Sequence, residues 1–390
     1  VTSLPTLIRL RAVQRRLQAV ATHWDERTLR TQYHPDLSPL GWHIGHCAFI
    51  ENLWLRERIQ GDRRATRGAH ALYIPQYSRK TRRGRRLPRR RRLLKQLSRQ
   101  QDANVLLLSG FAEPLNETHP LLADEYLERF IIQHHVQHLE TMQMVLQQRA
   151  LTAAAAGHPP PEALLTEPRS PRPLTANLPH GTYAIGGQPP DAFDNELPVH
   201  EVDIPACTIA SEPVSNADYL AFMQAGGYRI TEFWDTAGQT WLTEQPHLQA
   251  PEHWRQAPAG GWYAITPGGP AALDPAAPVM GINHHEAQAY AWWAGARLPH
   301  EYEWEAAYRT GLLQATGLVW EWCANPFFAY PGFRPFPYEE YSTPWFDGAH
   351  VTLRGGSRYS RADIRRASFR NFHTPEKRYI FAGLRLAASV

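Results

Sequence analysis

Two histidines four residues apart, in Phe130-Ile-Ile-Gln-His134-His-Val-Gln-His138-Leu-Glu140, have the best spacing in this chain for metal chemistry. On an α-helix a spacing of four leaves two imidazoles about 40° apart around the axis and one turn apart along it, so both reach one ion. Glu140, two residues past His138, points roughly 200° away and is a poor ligand for the same ion. A third ligand must come from another element. Gln137, three residues after His134, lies about 60° to one side of it, so its amide faces the same space.

The elements that must position these residues read as helices. Apolar periodicity predicts helices over residues 5–24, from after Ser38-Pro39 through Gly41-Trp-His43-Ile-Gly-His46, over about 89–109, and from Ala123 to Gln148. Four helices with long crossovers suggest a bundle, in which metal sites are built from inward side chains on facing helices. His43 and His46 on the second helix are the candidates for the third ligand. Residues 151–178 shift to Ala, Pro and polar residues and read as a linker. Beyond it come short alternating segments rich in Gly, Pro and aromatics, with helices only at Ser215–Ala225 and His284–Ala294. An α+β multidomain protein is expected: a bundle over 1–150, the linker, and a loop-rich domain over 179–390 held by buried aromatics and not by regular sheets.

At 390 residues, with 13 Trp, 16 Tyr and 14 Phe, the chain can bury two cores. Cys47, Cys207 and Cys323 are odd in number and scattered, which argues against a disulfide framework or a thiolate metal site and fits a reducing compartment. No apolar run approaches the ~20 residues that span a bilayer, and no signal-peptide pattern opens the sequence. A cytoplasmic protein with no membrane partner is expected. The formal charge of +4 conceals a run, Arg79 to Lys95, carrying eleven positive charges and leaving the remainder net negative by about 7. No helix-turn-helix, zinc-finger or RNA-recognition signature accompanies it. We therefore read it as a solvated loop leading into a helix, with one or two arginines turned inward to an anionic substrate group, and expect no nucleic-acid partner.

The second half carries Gly181-Thr-Tyr-Ala-Ile-Gly-Gly, Pro213-Val-Ser-Asn216, Arg297-Leu-Pro-His-Glu301-Tyr-Glu-Trp-Glu305, Val319-Trp-Glu-Trp322, Leu353-Arg354-Gly-Gly-Ser357 and Phe381-Ala-Gly-Leu-Arg385. In order and spacing these resemble the formylglycine-generating-enzyme domain, a C-type-lectin-like fold. Joined to a DinB-like four-helix bundle bearing Trp42-His-Ile-Gly-His46 and His134-x-x-x-His138, nearly the whole chain resembles the ergothioneine-biosynthesis sulfoxide synthases. These are non-haem iron enzymes that join a sulfur donor to the imidazole of hercynine (Nα-trimethylhistidine).

The resemblance implies an Fe(II) cofactor held by His46, His134 and His138, with His43 left in a supporting role. Three imidazoles also describe catalytic zinc, and only the resemblance selects iron. It puts Gln137 on the substrate imidazole, makes Tyr338 the proton donor of the oxygen-dependent step with Tyr341 beside it, and makes Trp42, Asn371 and Phe372 walls for hercynine's quaternary ammonium. Arginines that hold donor carboxylates fall near Arg82 to Arg86, with Arg82 and Arg83 as the candidates. The resemblance expects an aspartate for the donor ammonium after Arg370-Asn371 and an aromatic; this chain has Phe372 and then His373, and an imidazole cannot replace that carboxylate. A related branch makes selenoneine from hercynine and a selenosugar, which has no ammonium group, so a selenol donor is the leading expectation. The partners are then hercynine, O2 and a selenol or thiol, with cysteine or γ-glutamylcysteine in an ergothioneine-pathway sulfoxide synthase as the alternative. A formylglycine-generating activity needs a cysteine pair in the second domain, where only Cys207 and Cys323 exist, outside the expected motif. A non-catalytic lectin-like binding protein would not need the histidine triad.

Overall fold

A computed structural model describes residues 2–111, 115, 119–154 and 159–390. The chain divides into two compact units, Val1–Arg149 with Pro189–Asp191, and Ala150–Gln188 with Ala192–Val390.

The first unit is built on α1 (Leu4–His23), α2 (Leu40–Asn52), α3 (Arg90–Leu108) and α4 (Tyr126–Ala154). Helix α1 buries Leu10, Val13, Gln14, Leu17 and Ala21, a stripe at helical spacing. Helix α2 follows Pro39, its N-cap, and buries 12 of its 13 residues, as a central helix must. It runs on into a π-helical stretch, Leu53–Ile59. Helix α4 begins three residues later than the periodicity predicts, because Asp124 and Glu125 adopt φ of 51° and 60°, left-handed values that an α-helix does not accept. Among the described residues no helix is long and apolar enough to cross a membrane.

The basic run forms a short helix, Lys80–Arg86, and the start of α3. Most of its cations face solvent, and two turn inward, Arg83 and Arg90. Their targets are the protein's own oxygens: Arg90 donates from Nε to Ala21 O at 3.0 Å and from its backbone N to Glu26 at 2.6 Å.

Among its described residues the second unit contains four small sheets, in contrast to the expected lack of regular sheet. The four-stranded one orders Asn371–His373, Val351–Arg354, Trp320–Pro326 and Ala382–Gly383. Two expected helices are present, Asn216–Gln224 and His284–Trp293; two unexpected ones are Thr236–Thr243 and Glu301–Arg309. Capping explains the last: Glu303 accepts from His300 N at 2.7 Å, closing a box three residues apart. Residues 151–178 are not a free linker. Ala150 and Leu151 pack with Ala257, Tyr263 and Ile265, Leu165 bridges Trp262, and Ala176–Leu178 pairs with Cys207–Ile209. Of that stretch, residues 155–158 lie outside the described residues.

Charges, not aromatics alone, bind this core. Buried Glu301 takes Arg354 at 2.7 Å and a two-pronged contact from Arg370, at 2.8 Å and 2.7 Å. The two cations hold its carboxyl down to about 2 against the opposing effect of burial. Glu321 likewise takes Arg385 at 2.7 Å and 2.8 Å and the Trp304 indole N–H at 2.6 Å.

Candidate metal centre

The third histidine is His46. Its Nδ1 lies 2.7 Å from the Tyr73 carbonyl, which can only accept, so Nδ1 carries the proton and Nε2 keeps its lone pair. That Nε2 lies 3.2 Å from Nε2 of His134. The ring centroids of His134 and His138 are 4.5 Å apart and those of His46 and His138 4.8 Å. Ligand nitrogens of all three fall within 4.8 Å of one another.

All three rings are held neutral. Burial lowers His46 to about 4; burial and the neighbouring imidazoles push His134 and His138 well below the ordinary value. Neutral imidazoles with lone pairs turned towards one point repel each other unless a cation lies between them. The donor set therefore fits a divalent transition metal, with no proton to displace at neutral pH. Cys47 with His134 and His135 forms a second possible group. Burial, then Glu51, raises the Cys47 thiol well above its ordinary value, so it is the poorer ligand set.

His43 backs the cluster: its Nδ1 is 2.9 Å from Nδ1 of His138, the nitrogen left over if Nε2 were to ligate. Glu140 is buried and outside the cluster, as helical geometry requires. Gln137 is half-buried on α4, between the two histidines of that helix.

Two expected substrate contacts are supports instead. Trp42 is 3% exposed; it stacks on His46 at 4.6 Å and 12°, carries the Arg83 guanidinium 3.9 Å from its ring, and donates Nε1 to Leu72 O at 2.8 Å. No face remains for a substrate ammonium. Arg83 spends its donors on Ser38 Oγ, Pro75 O, and Ser78 O and Oγ. Four of its five N–H groups are thereby engaged inside the bundle. Arg82, one residue earlier, faces solvent and stays available.

In the second unit Tyr338 and Tyr341 share one loop, their rings 6.0 Å apart and near perpendicular. Tyr341 stacks on Phe193 at 4.7 Å. The loop is tied to the turn Asp194–Glu196: Ser342 donates to Asp194, Phe336 N reaches Asp194 at 3.3 Å, and Asn195 donates to Ser342 at 3.1 Å. Burial, with a smaller contribution from Asp194, raises the Tyr338 phenol, which keeps its proton at neutral pH and can donate it. Burial likewise raises Asp194 to about 6. Asn371, Phe372 and His373 form one strand paired with Val351–Leu353. Phe372 stacks on Phe327 at 4.2 Å, Asn371 Oδ1 accepts from Phe372 N at 2.9 Å, and His373 lies 6.2 Å from the Tyr379 ring.

Sequence reasoning passed over Tyr73, Asp194, Glu51 and His135. The last two had a signal. Glu51 is an acid inside an otherwise apolar helical run, and such residues are almost never fully buried unless paired. It accepts from His135 Nε2 at 2.8 Å, Gln14 at 3.0 Å, Asn104 at 3.1 Å and, more loosely, Gln101 at 3.5 Å.

Comparison with known proteins bears on both units. Residues 9–142 match the DinB superfamily, and residues 161–316 and 309–390 match the sulfatase-modifying factor enzyme 1-like domain. The chain is 33% identical to a hercynine oxygenase of Mycolicibacterium thermoresistibile, covering 94% of this chain and 91% of that one. It is 32% identical to a hercynine oxygenase of Mycobacterium tuberculosis, covering 93% and 94%. A formylglycine-generating enzyme of Thermomonospora curvata is 37% identical over 38% of this chain and 53% of its own length.

Proposed function

The chain belongs to the hercynine oxygenase family, and on that premise we propose that it is an Fe(II)- and O2-dependent oxidoreductase that joins a thiol donor to the imidazole of hercynine. The observation that carries this reading is the convergence of His46, His134 and His138, three neutral imidazoles with their outer nitrogens held by Tyr73 O, His135 and His43. Iron held by these residues would activate O2 and leave positions for the substrate imidazole and the sulfur. Formation of a sulfoxide balances: the thiol and the imidazole C–H each give up a hydrogen, one oxygen atom goes to sulfur, and the other leaves as water. Tyr338, protonated and poised on a tethered loop, is the proposed proton donor, with Tyr341 beside it. Gln137, Asn371 and Phe372 are proposed hercynine contacts, and Arg82 and His373 are the residues proposed to face the donor.

The thiol, cysteine or γ-glutamylcysteine, replaces the selenosugar as the favoured donor. The selenium reading rested mainly on His373, whereas relatives spanning almost the entire chain are hercynine oxygenases. Aerobic turnover with Fe(II) and hercynine against cysteine, γ-glutamylcysteine, a thiosugar and a selenosugar, read by mass spectrometry, tests both levels. A hercynine thioether sulfoxide with either thiol supports the proposal; product from the selenosugar alone returns the selenium reading. Failure with all four refutes hercynine as substrate. His134→Ala and His138→Ala should lose iron and turnover together, and full iron occupancy in either variant would refute the ligand set.

A further inference from the structure

Glu51 and His135 are fully buried, and neither belongs to the three-histidine cluster. They are nonetheless linked to it by an unbroken line of contacts. Glu51 Oε1 lies 2.8 Å from His135 Nε2, and His135 Nδ1 lies 3.3 Å from Nδ1 of His134. Glu51 Oε1 serves as the acceptor and His135 Nε2 as the donor of that contact, which leaves His135 Nδ1 as the atom facing His134. With that Nδ1 as the acceptor in turn, His134 carries its proton on Nδ1. That leaves the lone pair of His134 on Nε2, the atom 3.2 Å from Nε2 of His46.

We propose that Glu51 and His135 act as positioning residues that fix the tautomer and ring plane of His134 and so aim its Nε2 at the metal. The inference rests on the metal reading of the cluster. A ligating histidine commonly donates its outer N–H to a carboxylate or carbonyl, which sets the tautomer and raises ligand basicity. Here one imidazole ring is interposed. The interposed ring keeps the Glu51 carboxyl one imidazole away from the cluster while still passing its hydrogen-bond direction on to His134. Isolated imidazole has no such constraint, and either nitrogen can carry the proton.

The far end of this line is anchored across the bundle. Glu51, on α2, accepts from Gln14 on α1 and from Gln101 and Asn104 on α3, while His135 comes from α4. One buried polar layer thus joins all four helices beneath the cluster. A register shift of any helix would leave a carboxylate or an amide unsatisfied in the core, at a cost of about 1–3 kcal/mol per group or more for the charge. The same contacts that specify the bundle therefore specify which nitrogen of His134 faces the ion.

Substitution of His135 separates positioning from packing. His135→Asn keeps an oxygen acceptor close to the Nδ1 position, whereas His135→Leu keeps bulk and removes the acceptor. Co(II) is the probe, titrated anaerobically into metal-free full-length protein and followed by its visible ligand-field absorption. His135→Leu should weaken Co(II) about 10–100-fold and His135→Asn by only about threefold, in line with other partners of metal ligands. Imidazole 15N spectra of the metal-free protein should find His134 as the Nδ1–H tautomer in the wild type and in His135→Asn, and a mixture in His135→Leu. Equal affinity of His135→Leu and wild type would overturn the proposal, as would equal weakening by Leu and Asn. A wild type that fails to bind Co(II), or a His134→Ala variant that binds it as tightly, would sink the metal reading itself.

Discussion

Replacing Arg83 with methionine distinguishes a support from a substrate contact. The guanidinium donates from Nε to Ser78 O at 3.2 Å and Ser78 Oγ at 3.0 Å, and from Nη2 to Pro75 O at 3.0 Å and Ser78 O at 2.9 Å, with Nη1 on Ser38 Oγ. Methionine makes none of these. The two hydroxyls can turn to other acceptors, but the carbonyls of Pro75 and Ser78 would lose their Arg83 donors in the core, costing about 1–3 kcal/mol each. Against this, burial lowers Arg83 to about 10, so removing the charge recovers roughly 3 kcal/mol of desolvation. Lost packing on Trp42 and incomplete relaxation bring the net loss to about 2–3 kcal/mol. For a unit of this size that corresponds to roughly 5–10 °C in the midpoint of its unfolding transition. Differential scanning calorimetry reads the midpoint, and steady-state kinetics with the thiol read KM. A midpoint drop with donor KM unchanged is expected. An unchanged midpoint with KM raised about 10–150-fold, the equivalent of one lost charged hydrogen bond, would mean that the guanidinium is spent on the donor and that its contacts to Ser38, Pro75 and Ser78 do not hold. Arg82→Ala should give the reverse: no change in the midpoint, and a raised KM if that exposed arginine meets a donor carboxylate.

Three further perturbations follow from the geometry. Tyr338→Phe removes one hydroxyl from a loop that Asp194 holds through Ser342 and Phe336; metal and hercynine affinities should persist while the bond-forming rate falls or the product is diverted, and a normal rate with normal product would make Tyr338 a packing residue. Gly45→Ala drives a Cβ into the phenol of Tyr73, whose carbonyl holds His46; metal affinity should fall by about tenfold or more, as for other lost partners of metal ligands, and an unaffected Co(II) titration would show that Tyr73 yields without moving its carbonyl. His253 is buried with neither ring nitrogen hydrogen-bonded to a described residue, and burial, then Arg378 and Arg255, lowers it to about 3. The unfolded chain takes up that proton near 6.5, so the stability from this group is complete above 6.5 and is lost as pH falls towards 3, by about 2 kcal/mol at pH 5. His253→Leu should move acid unfolding of the second unit to lower pH, measured by tryptophan fluorescence; an unshifted transition would assign the acid lability to other groups.

The histidine cluster was legible because its information is local. His134 and His138 share a helix face by arithmetic, and the central helix after Ser38-Pro39 carries two further imidazoles, His43 and His46. The choice between them was not local: the Tyr73 carbonyl selects His46 by holding its outer nitrogen, and Tyr73 comes from a short helix, His70–Tyr73, with no long periodicity to announce it. Trp42 and Arg83 were misplaced for a related reason. Aromatic faces and guanidinium forks are what a quaternary ammonium and a carboxylate would seek, but here each satisfies the other beside His46. Composition also misled at 151–178, where Pro and Ala suggest a free tether and yet Leu165 and Ala176–Leu178 enter backbone pairings.

The motifs that identify the second unit are mostly its scaffold. Glu301, Arg354 and Arg370 form one buried charged knot, and Glu321, Arg385 and Trp304 another. Removing one partner from such a knot strands a buried charge and costs about 3–5 kcal/mol, so these residues are accounted for by stability alone. Their presence therefore says little about which sulfur or selenium compound is used. Under the proposed function, donor choice in the second unit would fall to residues outside the knots: the tyrosine loop tied to Asp194 and the strand Asn371–His373, whose last residue is an imidazole near Tyr379. Restoring a carboxylate by His373→Asp tests this directly. A donor bearing an ammonium group should gain affinity by about 10-fold or more from one charge-assisted contact, whereas a selenosugar, with no ammonium to satisfy, should gain nothing. Equal KM values for γ-glutamylcysteine before and after the substitution would place the donor away from position 373.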